Sequence, residues 1–297
     1  MTRLAATSHG TSREAFGPTE WALLAAAAGI WGSSFLFIAI GLDAFSPFLI
    51  TFLRVLFGAL ALTVLRSARS SVPREAWPRI IVLGLVWMAV PLAMFPIAQQ
   101  WIDSALAGML NGAMPLFSAL VASVLLRSAP RRIQILGLVV GFAGVVLIAA
   151  PSISGGSSPL GIGLVLFATA CYGLAVNLAV PLQQQYGALP ILLRAQLVAV
   201  AALAPFGLAA ATDSTFAWGP LAAVVALGVF GTGWAFVAMA TLVGRAGATR
   251  GSVAVYFVPL VAIVMGVVFR DEMVGWVALV GIATVLIGAY LTSRREI

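Results

Sequence analysis

Long apolar runs separated by short polar breaks follow one another along almost the whole chain. A membrane-spanning helix needs about 20 mostly apolar residues, and the runs have about that length. Their breaks contain turn-forming residues, as between Asp43 and Pro47 and between Ser128 and Pro130. The pattern predicts ten spanning helices, at roughly 20–42, 47–66, 79–101, 104–126, 133–151, 159–182, 188–211, 219–243, 249–269 and 273–293.

The second half of the chain repeats the first at a constant offset. Residues 115–147 align without a gap to residues 259–291, always 144 positions further on. Pro115 thereby meets Pro259, and glycines spaced by seven residues meet in the two copies. A repeat of this kind predicts two similar structural units. We expect a cytoplasmic tail at 1–18, a first five-helix repeat at 19–151 and a second one at 158–293.

Five helices per repeat is an odd number, so the second copy is expected to lie upside down relative to the first. Arg residues favour the cytoplasmic side of a membrane. With the N-terminus in the cytoplasm, Arg270 is the single cation in the segments on the opposite side. Thirteen arginines then lie in cytoplasmic segments, namely Arg3, Arg13, Arg66, Arg69, Arg74, Arg79, Arg127, Arg131, Arg132, Arg245, Arg250, Arg294 and Arg295.

The charges of equivalent breaks also support the inversion. The break after the fourth helix carries Arg131 and Arg132, whereas its echo after the ninth helix carries Asp271 and Glu272. The same loop changes sign because it changes side. We therefore predict an all-α polytopic membrane protein of ten transmembrane helices, arranged as two inverted five-helix repeats, with both termini in the cytoplasm.

The composition is that of a membrane protein. Of the 297 residues, 62% are hydrophobic and 8% are charged, against about 25% charged in soluble domains. Cys171 and His9 are the single cysteine and histidine, so we expect no disulfide framework, no metal site and no cofactor. The charged residues, which give a net charge of +7, lie mostly between the apolar runs. The expected partners are therefore the lipid bilayer and a small-molecule substrate, with no nucleic acid.

Two arginines lie inside predicted helices, and no Asp or Glu lies well inside one. Arg54 follows Pro47 in the second helix, and Arg194 lies in the first third of the seventh. Either side chain could snorkel or bind backbone carbonyls. Alternatively, Arg54 faces an aqueous cavity and attracts an anionic group of a substrate. The lack of an intramembrane carboxylate argues against a proton relay built on Asp or Glu.

Aromatic and amide side chains are frequent near the expected middle of the bilayer. Trp and Tyr residues that face lipid prefer the interfaces, so those near the middle are expected to point into the bundle. Amide groups at this depth need partners, and they either hold helices together or line a cavity. The candidate substrate-binding residues are Trp31, Phe35, Arg54, Trp87, Asn111, Tyr172, Asn177, Trp234 and Tyr256.

Pro115 and Pro259 lie in the middle of equivalent helices. Each removes a backbone hydrogen bond, and lipid does not tolerate the freed carbonyl, so both helices are expected to face inward and to bend. The bends are either static packing features or a gating element, and their matched positions favour gating. Glycines every seven residues in the fifth and tenth helices predict a smooth contact face. This face packs either within the bundle or against a second subunit in a homodimer.

Several motifs resemble those of the EamA-type drug/metabolite transporters, over about residues 20–293. They are Trp31-Gly32-Ser33-Ser34-Phe35, Pro47 with Arg54, Pro115-Leu116-Phe117, Gly137 to Gly144, and Glu272 followed by Gly275, Gly281 and Gly288. Family members commonly have an acidic residue before the last helix of each repeat. Glu272 fits this pattern, whereas Ser128 occupies the position in the first repeat. The resemblance implies an inner-membrane carrier of small metabolites.

The resemblance and the aromatic residues together lead us to expect export of aromatic or hydrophobic amino acids, as in exporters of the YddG type. Inverted repeats place the substrate between the two halves, which rock about it in alternating access. Efflux of drugs or of other metabolites is the alternative, although a cavity without a carboxylate suits cationic drugs poorly. An enzyme is not expected, because no nucleophile, metal ligands or paired acids occur at membrane depth.

Overall fold

The computed structural model describes residues 17–125, 132–154, 156–246 and 253–293. Some positions used in the sequence arguments lie outside the described residues. They are Arg3, His9, Arg13, Arg127, Ser128, Pro130, Arg131, Arg250, Arg294 and Arg295.

Ten helices form the apolar body of the described chain, and no strand occurs in these residues. Seven are long and apolar enough to cross a membrane, and three are shorter apolar helices. The prediction of an all-α polytopic membrane protein is confirmed. The helices are α1 (Pro18–Leu42), α2 (Pro47–Thr63), α3 (Arg74–Ala98), α4 (Ser104–Leu125), α5 (Arg132–Ser154), α6 (Pro159–Tyr186), α7 (Ala188–Ala209), α8 (Trp218–Val243), α9 (Val253–Arg270) and α10 (Trp276–Ser293).

Helices α5 and α10, which are equivalent in the repeat, pack tightly against each other through their glycines. A Cβ added to Gly144 would lie 2.7 Å from the carbonyl oxygen of Gly281. A Cβ added to Gly288 would lie 2.6 Å from the carbonyl oxygen of Gly137. The contacts pair late residues of one helix with early residues of the other, so α5 and α10 run antiparallel. Equivalent helices of opposite direction confirm the inverted repeat.

Contacts between the halves occur in pairs that the repeat relates. Gly32 in α1 packs directly against Val261 in α9. Gly173, which lies 141 residues after Gly32, packs in the same way against Phe117 in α4, 144 residues before Val261. Likewise α1 packs on α8 and α9, while α6 packs on α3 and α4. A pseudo-twofold axis in the membrane plane relates the halves, as in inverted-repeat transporters.

The third helix of each repeat contains a π-helical stretch at the equivalent position. The stretch is Gly84–Ala89 in α3 and Leu227–Trp234 in α8. A π-turn changes the backbone hydrogen-bond pattern and redirects the side chains that follow, and such turns are frequent at functional sites. Gly84 allows α7 to approach α3 closely, and Gly228 does the same for α2 and α8. The pattern of ten apolar runs in the sequence did not predict these π-helical stretches.

The two equivalent prolines lie in helices of different form. α4 is interrupted at Gly112–Ala113, and its second segment begins at Met114, directly before Pro115. α9 is continuous through Pro259. The expected bend is therefore present in α4 as a break, whereas α9 is not interrupted. A Cβ on Gly112 would lie 2.8 Å from Cγ of Pro259, so the proline ring of α9 fills the space beside the break.

Polar side chains join the two halves at one end of the bundle. Glu272, after α9, accepts hydrogen bonds from the backbone N–H groups of Ser104 (2.9 Å) and Ala105 (2.7 Å). These groups begin α4, where the helix dipole favours a negative charge. Arg270 forms two hydrogen bonds of 2.8 and 3.1 Å with the carboxylate of Asp43, after α1. At the end that carries the loops after α1, α3 and α9, these contacts therefore hold the two halves together.

Candidate functional site

Arg54 in α2 is held inside the bundle by a single side chain of the other half. Its side chain is buried, with 7% of the residue exposed. Its Nε donates a hydrogen bond of 2.9 Å to Oγ1 of Thr232 in α8. Within the described residues no carboxylate pairs with this guanidinium, and no other hydrogen bond to it occurs. Arg54 therefore does not snorkel to the membrane surface, and its two terminal amino groups remain for another partner.

The π-helical stretch of α8 is fixed by side chains from two other helices. The indole Nε1 of Trp31 in α1 donates to the carbonyl oxygen of Gly231 at 3.1 Å. The amide Nε2 of Gln196 in α7 donates to the carbonyl oxygen of Thr232 at 2.6 Å. Buried carbonyl oxygens need such donors, and a π-helix departs from the usual intrahelical pairing. The stretch that positions Arg54 is thus tied to both repeats.

Two of the candidate tryptophans meet on one phenylalanine ring. Trp31 contacts Phe236 edge-to-face at a centroid distance of 5.2 Å, and Trp87 does so at 5.3 Å. Edge-to-face pairs are favourable beyond the area that they bury. Trp87 is buried, with 8% exposed. Phe236 lies four residues after Thr232, about one helical turn further along α8.

A second aromatic group consists of Phe35, Phe95 and Tyr172. Phe35 contacts Phe95 edge-to-face at 5.5 Å, and Phe95 stacks on Tyr172 at 5.8 Å. Tyr172 packs against both large hydrophobic clusters of the protein, which places it at the junction between them. Five of the nine predicted site residues therefore fall into two groups: Trp31, Arg54 and Trp87 are joined through α8, and Phe35 and Tyr172 are joined through Phe95.

Three other candidates lie at contacts between helices. Nδ2 of Asn177 donates to the carbonyl oxygen of Gly173 (2.8 Å) and to the carbonyl and hydroxyl oxygens of Ser118 in α4 (3.1 and 3.2 Å). The hydroxyl of Tyr256 donates to the carbonyl oxygen of Ala289 in α10 at 3.3 Å. Oδ1 of Asn111 is buried and has no hydrogen-bond partner among the described residues. Asn177 and Tyr256 hold helices together, whereas Asn111 lies at the break in α4.

Trp234 stands apart from the other candidates. The residue is 42% exposed, and Phe230, four residues earlier in α8, is 51% exposed. This differs from the expectation that Trp234 points into the bundle. The expectation rested on bilayer depth, which does not determine the face of a helix, and the π-helical stretch that ends at Trp234 shifts the register of side chains around the helix axis.

Arg194 makes the contacts that one of the two interpretations anticipated. Nη1 donates to the carbonyl oxygens of Pro190 (3.0 Å) and Ala68 (3.4 Å), and Nη2 donates to that of Ser70 at 2.6 Å. The side chain thereby connects α7 to the segment between α2 and α3. Its donors are satisfied by backbone, in contrast to those of Arg54.

Four residues of the cluster were not among the sequence candidates, namely Phe95, Gln196, Thr232 and Phe236. Gln196 could have been found as an amide inside an apolar run, and Thr232 as the hydroxyl between Gly231 and Gly233. Nothing in the sequence distinguishes the two phenylalanines from those that face lipid.

A ten-helix bundle with inverted halves, and with a buried polar and aromatic cluster at their junction, defines a membrane transporter. Two stretches of the chain, residues 19–150 and 159–294, match the EamA-like transporter family. The chain belongs to this family.

Relatives over nearly the full length are also described as transporters. An uncharacterised transporter of Archaeoglobus fulgidus is 23% identical over 93% of this chain and 99% of its own length. A probable terminal-alkyne amino-acid exporter of Streptantibioticus cattleyicolor is 28% identical, covering 93% and 94%. The uncharacterised inner membrane transporter YedA of Escherichia coli is 25% identical, covering 90% of both chains. One crystal structure superposes with a TM-score of 0.61 at 22% identity, covering 92% and 95%, which supports the fold.

Proposed function

We propose that the protein exports aromatic or hydrophobic amino acids across the bacterial inner membrane by alternating access. The carrier moves a small amphipathic solute whose carboxylate pairs with Arg54 and whose hydrocarbon part contacts the aromatic side chains. The observation that carries the proposal is the buried guanidinium of Arg54, which has no anionic partner in the described part of the chain.

A buried charge of this kind is expensive, and ionisable groups at membrane depth are generally functional. A carboxylate is the anion that fits best, because a guanidinium offers two parallel N–H donors to its two oxygens. Neutral and cationic solutes would leave the charge of Arg54 unpaired. The site chemistry therefore favours acids and zwitterions over cationic drugs.

The aromatic side chains support a solute with an apolar part. Trp31 and Trp87 contact Phe236, four residues after Thr232 in α8, and Phe95 stacks on Tyr172. Rings of this kind supply apolar surface together with a few polar tips. The name of the Streptantibioticus cattleyicolor relative, an amino-acid exporter, supports the same class of substrate. Pro115 and Pro259 would gate the site, because they lie in the paired helices α4 and α9.

Uptake into proteoliposomes tests the proposal directly. We expect purified protein to accumulate labelled phenylalanine faster than protein-free vesicles do, with saturation as phenylalanine concentration rises. A cationic drug such as ethidium should be taken up no faster than by protein-free vesicles. Absence of flux for phenylalanine, leucine and threonine, or saturable flux of the drug alone, would contradict amino-acid export and favour drug efflux.

We also propose that both termini lie in the cytoplasm. Arg66, Arg69, Arg74 and Arg79 lie in or beside the segment between α2 and α3, and positive charge favours the cytoplasmic side. The loop that carries Asp213, between α7 and α8, would then face outward.

The orientation can be tested by cysteine labelling in whole cells. In a variant with Cys171 replaced by Ala, a cysteine at the exposed Asp213 should react with a membrane-impermeant thiol reagent added outside. A cysteine at the exposed Glu75 should react only after the cells are permeabilised, because it lies at the other end of the bundle. Labelling from outside at position 75 alone would reverse the assignment. Labelling from outside at both positions would refute it.

A further inference from the structure

We infer that Thr232 and Gln196 are positioning residues that aim the guanidinium of Arg54, and thereby set a preference for substrates with a carboxylate. The inference rests on the proposed function, since it concerns how that site recognises its solute. Neither residue was predicted from the sequence, and both are buried, with 1% and 0% exposed.

The hydrogen bond from Arg54 to Thr232 determines which donors are left. A guanidinium can bind a carboxylate through its two terminal amino groups or through Nε and one of them. Because Nε is engaged with Oγ1 of Thr232 at 2.9 Å, only the end-on arrangement remains. The bond also fixes the plane of the guanidinium, which lowers the entropy lost when a ligand binds.

Thr232 is itself held in place by surrounding groups. Its carbonyl oxygen accepts the 2.6 Å hydrogen bond from Nε2 of Gln196. A Cβ on Gly58 in α2 would lie 2.9 Å from Cβ of Thr232, so this glycine allows α2 to approach the threonine. The carbonyl oxygen of Arg54 lies just as close to Gly228, with 2.7 Å to an added Cβ. Arg54 and Thr232 are therefore carried by α2 and α8, and these two helices are in close contact beside each of the two residues.

The polar pair lies on one side of the pseudo-twofold axis only. The equivalent of Arg54, 141 residues on, is Ala195, which contacts Gly84 just as Arg54 contacts Gly228. The equivalent of Thr232, 144 residues earlier, is Met88, next to Trp87. The two halves thus have nearly symmetric backbones but different side chains: Arg54 and Thr232 on one side of the axis, and the apolar Ala195 and Met88 on the other. Such a site suits a solute with one anionic end and one apolar end.

A purely structural role predicts a different response to substitution. If the Arg54–Thr232 bond only holds α2 against α8, its loss lowers stability and leaves substrate preference unchanged. If it aims Arg54, its loss weakens binding of carboxylates specifically, while transport of an analogue that lacks the carboxylate is unaffected. Comparison of phenylalanine with phenylalaninamide separates these outcomes, because the two differ at the carboxyl group.

The decisive variant is Thr232→Val in proteoliposomes, since valine keeps the shape and removes the acceptor. We expect the KM for phenylalanine to rise about tenfold, as for loss of a hydrogen bond to a charged group, with Vmax little changed. The preference for phenylalanine over phenylalaninamide should fall by a similar factor. Thr232→Ser should restore both values. Thr241→Val is the matched control, because Thr241 lies on the exposed part of the same helix.

Unchanged KM and preference in Thr232→Val would overturn the inference, as would equal losses for both solutes. If that variant does not fold, Gln196→Met is measured in the same way, and an unaltered preference there also overturns it. Failure of the proposed function gives a separate result, namely no phenylalanine transport by the wild type. In that case, thermal stabilisation by 3-phenylpropionate but not by its amide, lost in Thr232→Val, would support carboxylate recognition, and its absence would refute it.

Discussion

Replacement of Arg54 by Met is expected to reduce phenylalanine uptake about a hundredfold, since losing one partner of a buried charge pair costs several kcal/mol. The protein should nevertheless insert and fold. Methionine fills much of the same volume, and removing a buried charge that has no carboxylate partner in the described residues does not lower stability. Initial uptake rates in proteoliposomes and the melting temperature in detergent measure the two effects separately.

The matched control is Arg194→Met, for which we expect the opposite pattern. Arg194 donates to three backbone carbonyl oxygens, so its loss leaves acceptors unsatisfied and lowers the melting temperature. It lies apart from the aromatic cluster, and the KM should remain unchanged. Arg54→Lys should be intermediate, because lysine keeps the charge and loses the planar pair of donors. Normal uptake by Arg54→Met would exclude Arg54 from substrate binding.

The second large effect is expected at the contact between α5 and α10. Gly288 lies against the backbone of Gly141, so a side chain at this position can be accommodated only if the two helices separate. Gly288→Val should destabilise the protein by about 3 kcal/mol or more, as overpacking against a rigid neighbour does. The yield of monodisperse protein and its melting temperature in detergent are the measurements.

The repeat predicts the same effect at the equivalent glycine of α5. Gly144 is equivalent to Gly288, and an added Cβ there would lie 2.6 Å from the backbone nitrogen of Val285. Gly144→Val should therefore cause a loss of similar size. Gly163→Val is the control, since this glycine in α6 is exposed and has nothing within 4 Å of an added Cβ. Different behaviour of Gly144→Val and Gly288→Val would show that the two sides of the contact are not equivalent.

The arrangement of the helices could be predicted because two independent sequence signals agree. Apolar runs give the helices, and the constant offset between Gly144 and Gly288 gives the repeat. The reversal of loop charge from Arg132 to Glu272 then gives the inversion. These signals survive because the bilayer imposes helix length and close packing demands small residues. Both constraints can therefore be recognised in the sequence, from the length of the apolar runs and from the spacing of the glycines.

The site was predictable only in part, because its geometry depends on local departures from regular helix. Arg54 is conspicuous as a charge in an apolar run, whereas Phe95 and Phe236 are ordinary residues of such runs. Trp234 was assigned to the interior from its expected depth in the bilayer, and depth alone does not determine which face of α8 a side chain occupies. Gln196 acts through the carbonyl oxygen of Thr232, a contact with the backbone that the residue types in the sequence do not indicate.

The unequal forms of α4 and α9 have a consequence for the transport cycle. Both helices carry the same proline, yet only α4 is interrupted, at Gly112–Ala113. When two inverted halves exchange their conformations, the assembly opens toward the opposite compartment. In the proposed alternating-access cycle, the exchanged form would carry the interruption in α9, just before Pro259, and α4 would be continuous. The helix that carries the interruption would therefore identify the membrane side to which the substrate site is open.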